Sequence, residues 1–232
     1  GSPNYRHGMT RDEWVTYQQE AYKYKNGDYP TDMSALLGKQ DFIDAYNDGK
    51  WIDWIDEVSG NTATTQKYSL SVSSGTEKTK LFASTSYNRE EGLLNNENLN
   101  RYSLRLNLDQ QIFSWAKVGF TSNLVYRDLN SGVKNTFTKS LSAIPLGDAS
   151  TEKGEINHEY ITGQYSPMSD FIENQYVDNT RSTYLNMSGY VELTPVKDLT
   201  FTSRVNGTLN HSRRGQYWGE KCNANRPSYA GS

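Results

Sequence analysis

Few side chains in this sequence are spaced for bond-making chemistry. His7, His158 and His211 stand far apart with no ligand spacing, and the single cysteine, Cys222, excludes an internal disulfide and a Cys-rich zinc site. The acidic stretch Asp44–Asp56 invites comparison with a calcium loop. Asp44, Asp48 and Gly49 fall at loop positions 1, 5 and 6, but position 3 is Tyr46 and position 12, where a bidentate carboxylate is needed, is Ile55. No nucleophile elbow, phosphate loop or dinucleotide fingerprint occurs. The expectation is therefore no catalytic residue, no metal and no cofactor. What remains is a set of aromatic rings and a set of charges. Trp51, Trp54, Tyr160, Tyr165 and Trp218 offer flat faces that could stack on sugar rings or peptide side chains, while neighbouring Asn and Asp bond hydroxyls. The same rings can instead pack loops against each other or against a partner protein, the simpler reading for Trp54. The charges Arg105, Asp109, Lys117, Arg127 and Arg204 alternate with apolar residues along the chain.

That alternation comes from strands. Tyr68, Leu70 and Val72 alternate with serines, and Tyr102, Leu104, Leu106 and Leu108 with Ser103, Arg105, Asn107 and Asp109. Further ribbons of period two follow around 81–87, 117–127, 185–193 and 199–210. Successive strand residues point to opposite faces, so each ribbon has one apolar and one polar side, as in an antiparallel meander. The connections run short, long, short, long, short, which puts the tight turns at one end. Before residue 66 the signals are helical. Thr10-Arg11-Asp12-Glu13 fits a capping box for a helix reaching about Lys25, where Asn26-Gly27 stops it, and a second short helix is expected over Gln40–Tyr46. The long link 128–181 is expected to hold a helix over Phe137–Ile144, ended by Pro145. The segments are thus 3–65 helical and irregular, 66–127 four strands, 128–181 a long loop, 182–212 a hairpin, and 213–232 the start of the next loop.

Composition narrows the class. The 232 residues carry a formal net charge of −3, with 34% hydrophobic, 22% charged and 12% aromatic residues. This is too aromatic for a disordered chain and offers no basic footprint for nucleic acid. No apolar run is long enough for a membrane-spanning helix. The start, Gly1-Ser2, reads as a cloning scar, so an excised or mature fragment is expected.

Half-buried ribbons suit a soluble β-sandwich, a glycan-binding or adhesion module, as well as a membrane barrel. Two features favour the barrel. The polar face carries charges in mid-strand, as a hydrated interior would. Tyr68, Tyr87, Tyr102, Tyr126 and Tyr184 all fall at the long-loop ends of their strands, with Phe113 and Trp115 at the turn end, as in the aromatic girdles of outer-membrane barrels. Strands of about 9–11 residues cross a bilayer when tilted.

The run Tyr68-Ser69-Leu70-Ser71-Val72-Ser73-Ser74-Gly75-Thr76-Glu77-Lys78-Thr79 resembles the "N-L-S-V-S-G-G-S-E-K-T" hairpin of SusC/RagA-type TonB-dependent outer-membrane transporters. Asn100–Asp109 is similar to that family's "R-Y-S-x-R-x-N-L-D" strand, Trp115–Gly119 to its "W-L-K-V-G" opening, Ser86–Leu94 to its tyrosine-then-"Q-E-G" stretch, and Asp53-Trp54-Ile55-Asp56 to its "D-W-Q-D". Ser74 departs from the pattern, standing where the first of two glycines is usual.

The resemblance implies an all-β, up-and-down meander forming part of a large transmembrane barrel, with short helices in the long loops. It implies an outer-membrane importer of oligosaccharides, or less often peptides, that holds its cargo beneath a SusD-like surface lipoprotein and draws on TonB through a plug region that this stretch does not contain. Arg105, Asp109, Lys117, Arg127 and Arg204 would then face the lumen, and membrane lipid would cover the leucines.

Overall fold

Alternating Ser, Thr and Asn against Leu, Val and Tyr gives a ribbon no way to bury both sides, and the chain meets this with one open sheet. The computed structural model describes residues 8–59, 62–94, 96–133 and 135–223; His7 and the Gly1-Ser2 start lie outside them. Six strands pair antiparallel in the order β1(Thr64–Gly75), β2(Thr79–Glu91), β3(Asn98–Phe113), β4(Ala116–Asn130), β7(Tyr176–Val196) and β8(Leu199–Trp218). Neighbours in the sheet are neighbours in sequence except across the β4–β7 link, which holds the small β5(Glu159–Ile161)–β6(Gln164–Tyr165) hairpin. The six-stranded meander agrees with the alternation. The strands extend past the alternating segments at their loop ends, because pairing continues there through polar residues such as Asn98, Asn130 and Asn179 that carry no period-two signal. Trp218, read as part of a following loop, is the last residue of β8.

Tight turns at one end and long links at the other follow as expected. The β1–β2 turn is closed by Thr76, whose backbone N–H donates to the Thr79 carbonyl at 2.7 Å and whose hydroxyl accepts from the Thr79 N–H at 3.0 Å. The β7–β8 turn uses Asp198 at φ 65°, the left-handed region that Asn and Asp tolerate.

Register sorts the side chains. On one face Tyr68, Tyr87, Tyr102 and Tyr126 stand directly opposite one another across four strands, with ring centroids 6.4, 5.0 and 6.1 Å apart. Leu70, Val72, Leu104, Leu106, Leu108, Phe120, Leu124, Leu185, Val205 and Leu209 lie on the same face below that row, many of them widely exposed. Tyr184 does not join the row. It pairs with Val125, one residue out of phase with Tyr126, and so belongs to the opposite face, where Asn186 donates to its hydroxyl. A one-residue phase decides the face.

The buried core is not in the sheet but at its loop end. Ile52, Trp54, Val58, Leu94, Ala149, Tyr160 and Met168 form a cluster with Phe137, Ile156, Ile161 and Phe171 packed against it. It joins the N-terminal segment to the β4–β7 link. α1(Arg11–Asn26) has the capping box at Thr10 and Glu13 and ends at Gly27, φ 86°; α3(Gln40–Asn47) follows the sequence reading closely. Between them lies a short α2(Met33–Leu37), and α4(Trp54–Ser59) begins where Asp53 accepts from the Ile55 and Asp56 amides at 2.9 and 3.3 Å. Asp53 is thus an N-cap, which gives the "D-W" pair its local logic. The link helix α5 covers Thr136–Ser142, two residues short of the expected end, since Ala143 turns extended ahead of Ile144-Pro145.

Candidate functional site

The face opposite the leucines carries the charges. In β3, Arg101, Arg105 and Asp109 share it; register places Arg127, Asn123, Gly119 and Lys117 beside them on β4, then Ser182, Asn186, Tyr190 and Glu192 on β7, and Arg204 opposite Tyr190 on β8. All five residues singled out from the sequence, Arg105, Asp109, Lys117, Arg127 and Arg204, therefore lie on one side of one sheet. They form two groups along it.

Towards the tight turns, Tyr190 organises a compact constellation. Its hydroxyl donates to Asp109 Oδ1 at 2.5 Å across the intervening strand, and its ring lies under the cations of Lys117 (5.5 Å) and Arg204 (5.6 Å). Gly119, which stands between Asp109 and Tyr190 in the register, makes this reach possible. A Cβ there would overlap the Tyr190 ring and sit 2.7 Å from Asp109 Oδ1. Sequence reasoning found the charges but not Tyr190, because only strand pairing reveals that the ring crosses a glycine.

Towards the loop end, Arg101 and Arg127 face one another across β3 and β4. Beyond them Asp178, buried to 6% exposure, accepts from Arg214 Nε and Nη2 at 2.8 and 2.6 Å and from Gln216 at 3.1 Å. This bidentate pair ties β7 to β8 at the level of the loops. Asp178 fell within the stretch read as loop, so alternation held no signal for it.

The aromatic set divides. Trp54 and Tyr160 are 3% and 4% exposed and pack edge to face, centroids 4.7 Å apart. Trp54 Nε1 donates to the Ile144 carbonyl and the Tyr160 hydroxyl accepts from the Ile144 N–H, both at 3.0 Å. The two rings thus clamp one residue of the link from both sides, leaving no face to stack on a ligand. Their expected ligand role is replaced by loop packing. Burial also raises the Tyr160 phenol to about 12, against a partial offset from the Ile144 N–H. Trp51 is half-buried, edge to face with Trp14 at 6.1 Å, and bridges to Leu146. Tyr165 and Trp218 are 40% and 42% exposed, Tyr165 with its ring 5.1 Å from His158. A cleft of about 340 Å³ lies between α1 and the link, lined by Met9, Trp14, Tyr17, Ile52, Leu141 and Pro145 among others.

Cys222 is fully buried, and its Sγ donates to Asp170 Oδ1 at 2.9 Å; Asn223 adds a backbone N–H at 2.7 Å and its side-chain amide at 3.0 Å. Asp170, 1% exposed, thereby holds the chain after β8 against the 3₁₀ turn Pro167–Phe171. Among the described residues no three His, Cys, Asp or Glu side chains converge as metal ligands.

No family model matches the chain. A curated TonB-dependent receptor of Formosa agariphila is 25% identical over 169 residues, covering 71% of this chain and 17% of the receptor. Among solved structures, the RagAB peptide transporter aligns at TM-score 0.67 with 23% identity, and the RagAB peptide importer in its "open-open" state at 0.66 with 21%. Each covers 90% of this chain and 26% of the solved one. The chain therefore spans a sixth to a quarter of the proteins it matches, and these are receptors and transporters rather than enzymes. In sequence and in fold, this chain resembles a stretch of the barrel of TonB-dependent transporters, as its hairpin motifs imply.

Proposed function

We propose that this chain is part of the barrel wall and outer loops of a TonB-dependent importer in the bacterial outer membrane, taking up oligosaccharides or peptides beneath a SusD-like lipoprotein. The observation that carries this reading is the division of one sheet into two chemically opposite faces. From Tyr102 to Ile112 this face of β3, apolar except for Gln110, spans ten residue steps, about 33 Å at ~3.3 Å per residue. At a strand tilt of about 40° this projects to roughly 25 Å, the height of the apolar band of an outer-membrane barrel. The tyrosine row marks the loop-side limit of that band, and the stacked pair Phe113–Trp115, 5.2 Å apart, the turn-side limit. Lipid is the solvent such a face requires, since its leucines have no second protein layer among the described residues. The charged face then borders the lumen, and the packed loop layer forms part of the outer mouth where cargo and lid meet.

A soluble sandwich would cover the leucine face with another sheet. The test is membrane partition of the full-length protein. Detergent-dependent, heat-modifiable migration together with TonB-dependent uptake of labelled oligosaccharide or peptide is the expected result. A monodisperse, detergent-free monomer would overturn the reading.

A further inference from the structure

The charged face is not uniformly mixed. Three successive positions along it, next to the loops, are set by register. The first carries Lys67, Asn88, Arg101, Arg127, Ser182 and Ser212; the second Ser69, Ser86, Ser103, Val125, Tyr184 and Asn210; the third Ser71, Ser84, Arg105, Asn123, Asn186 and Thr208. This area holds four cations, Lys67, Arg101, Arg105 and Arg127, and no acid. The acids of the same face lie outside it: Glu90 and Asp178 nearer the loops, Asp109 and Glu192 nearer the turns. Among the described residues, none of the four cations makes an ion pair.

Arg101 and Arg127 are moreover directly opposed on neighbouring strands, where backbones stand about 5 Å apart and like charges repel. Three other arginines of the sheet do pair with acids: Arg181 with Asp128, Arg89 with Glu91, Arg214 with Asp178. Two buried side-chain polar atoms lack a hydrogen-bond partner among the described residues, Arg101 Nε and Asn107 Oδ1, and both belong to this face. An opposed arginine pair with no acid partner, set among serine and asparagine side chains, is arranged to receive an oxyanion.

We infer that this patch is a binding site for carboxylate groups of the cargo, so that the importer selects anionic oligomers over neutral ones. The inference rests on the importer reading and adds the charge class of its substrate. Arg101 and Arg127 hold one carboxylate between them. Arg105 lies four residues along β3, about 13 Å away at ~3.3 Å per residue, and Lys67 two strands away at about 10 Å, so repeated carboxylates on one extended oligomer can engage several cations at once. The patch lies beside the loops rather than the turns, at the level of the tyrosine row on the opposite face, where cargo enters. The same carboxylate chemistry occurs in acidic peptides and in uronate oligosaccharides, and the test separates them.

The experiment is calorimetric binding to the purified full-length transporter, using hexaglutamate against hexaserine and hexagalacturonate against maltohexaose. The expected result is that one acidic probe binds at least tenfold more tightly than its neutral counterpart, which also names the polymer class. Arg101→Gln with Arg127→Gln should erase most of that preference and flatten its salt dependence. Arg101→Lys with Arg127→Lys should keep most of it, which covers the case where the glutamine variant fails to assemble. Arg213→Gln, which removes one cation from the opposite face, should leave the preference unchanged. Equal binding of charged and neutral probes, no binding of any of the four, or a preference untouched by the glutamine pair overturns the site. So does a glutamine pair that lowers thermal stability alone, since an acidic side chain of the plug would then be the partner. None of these outcomes bears on membrane partition or TonB-dependent uptake, so the importer reading stands or falls separately.

Discussion

Tyr190 and Asp109 are joined by a 2.5 Å hydrogen bond across a strand that contributes only a glycine between them. The ring occupies the space a Gly119 side chain would fill, and Lys117 and Arg204 rest near its face. Gly119→Ala should displace the ring and break the bond at once, costing that bond and a further amount of about 1–3 kcal/mol for the overpacked site. Tyr190→Phe keeps the ring over the glycine and should cost about 1.5–3 kcal/mol, one hydrogen bond to a carboxylate. Denaturant unfolding of the reconstituted full-length protein checks the order. A larger loss for Tyr190→Phe than for Gly119→Ala would show that the glycine is incidental.

Leu106 and Arg105 are neighbours in sequence on opposite faces. Leu106→Arg should cost about 2–4 kcal/mol near mid-membrane and impair assembly, whereas Arg105→Leu should assemble normally. Comparable assembly of both variants, followed by heat-modifiable migration, would reverse or remove the assignment of faces.

The Trp54–Ile144–Tyr160 clamp predicts a local effect. Trp54→Phe leaves the Ile144 carbonyl without its donor in a buried setting, at a cost of about 1–3 kcal/mol. Limited proteolysis should then cut the 131–175 link faster while the strands and membrane assembly stay intact. Unchanged cleavage would mean the loop layer is held by other contacts.

Tyr160 also sets a pH dependence. Its phenol ionises near 10 in the unfolded chain and is pushed up to about 12 in the folded one. Below pH 10 both states keep the proton and the contribution is complete. Between about 10 and 12 the unfolded chain loses its proton first, so stability falls as pH rises, by on the order of 2–3 kcal/mol at the limit. Tyr160→Phe should lack this component, measured as the difference between variant and parent in loop-layer protection from pH 9 to 12. Parallel profiles would place Tyr160 in contact with water.

How much of this was legible beforehand follows from the reach of each interaction. Thr10-Arg11-Asp12-Glu13 and Asn26-Gly27 act within one helical turn, so α1 could be bounded from the sequence, and side-chain alternation is a property of each strand alone, so six strands and two faces could be read as well. The grouping of Arg105, Asp109, Lys117, Arg127 and Arg204 on one side followed from the same parity. Pairing was not legible, because register depends on which residue of one strand meets which of the next. The parity of its own strand already put Tyr184, next to Leu185 in sequence, on the polar side; only the folded sheet set Arg101 against Arg127 and laid Tyr190 over Gly119. The burial of Trp54 and Tyr160 was equally hidden, since they meet across more than a hundred residues of chain and nothing local distinguishes a ring that closes a loop layer from one that waits for a ligand.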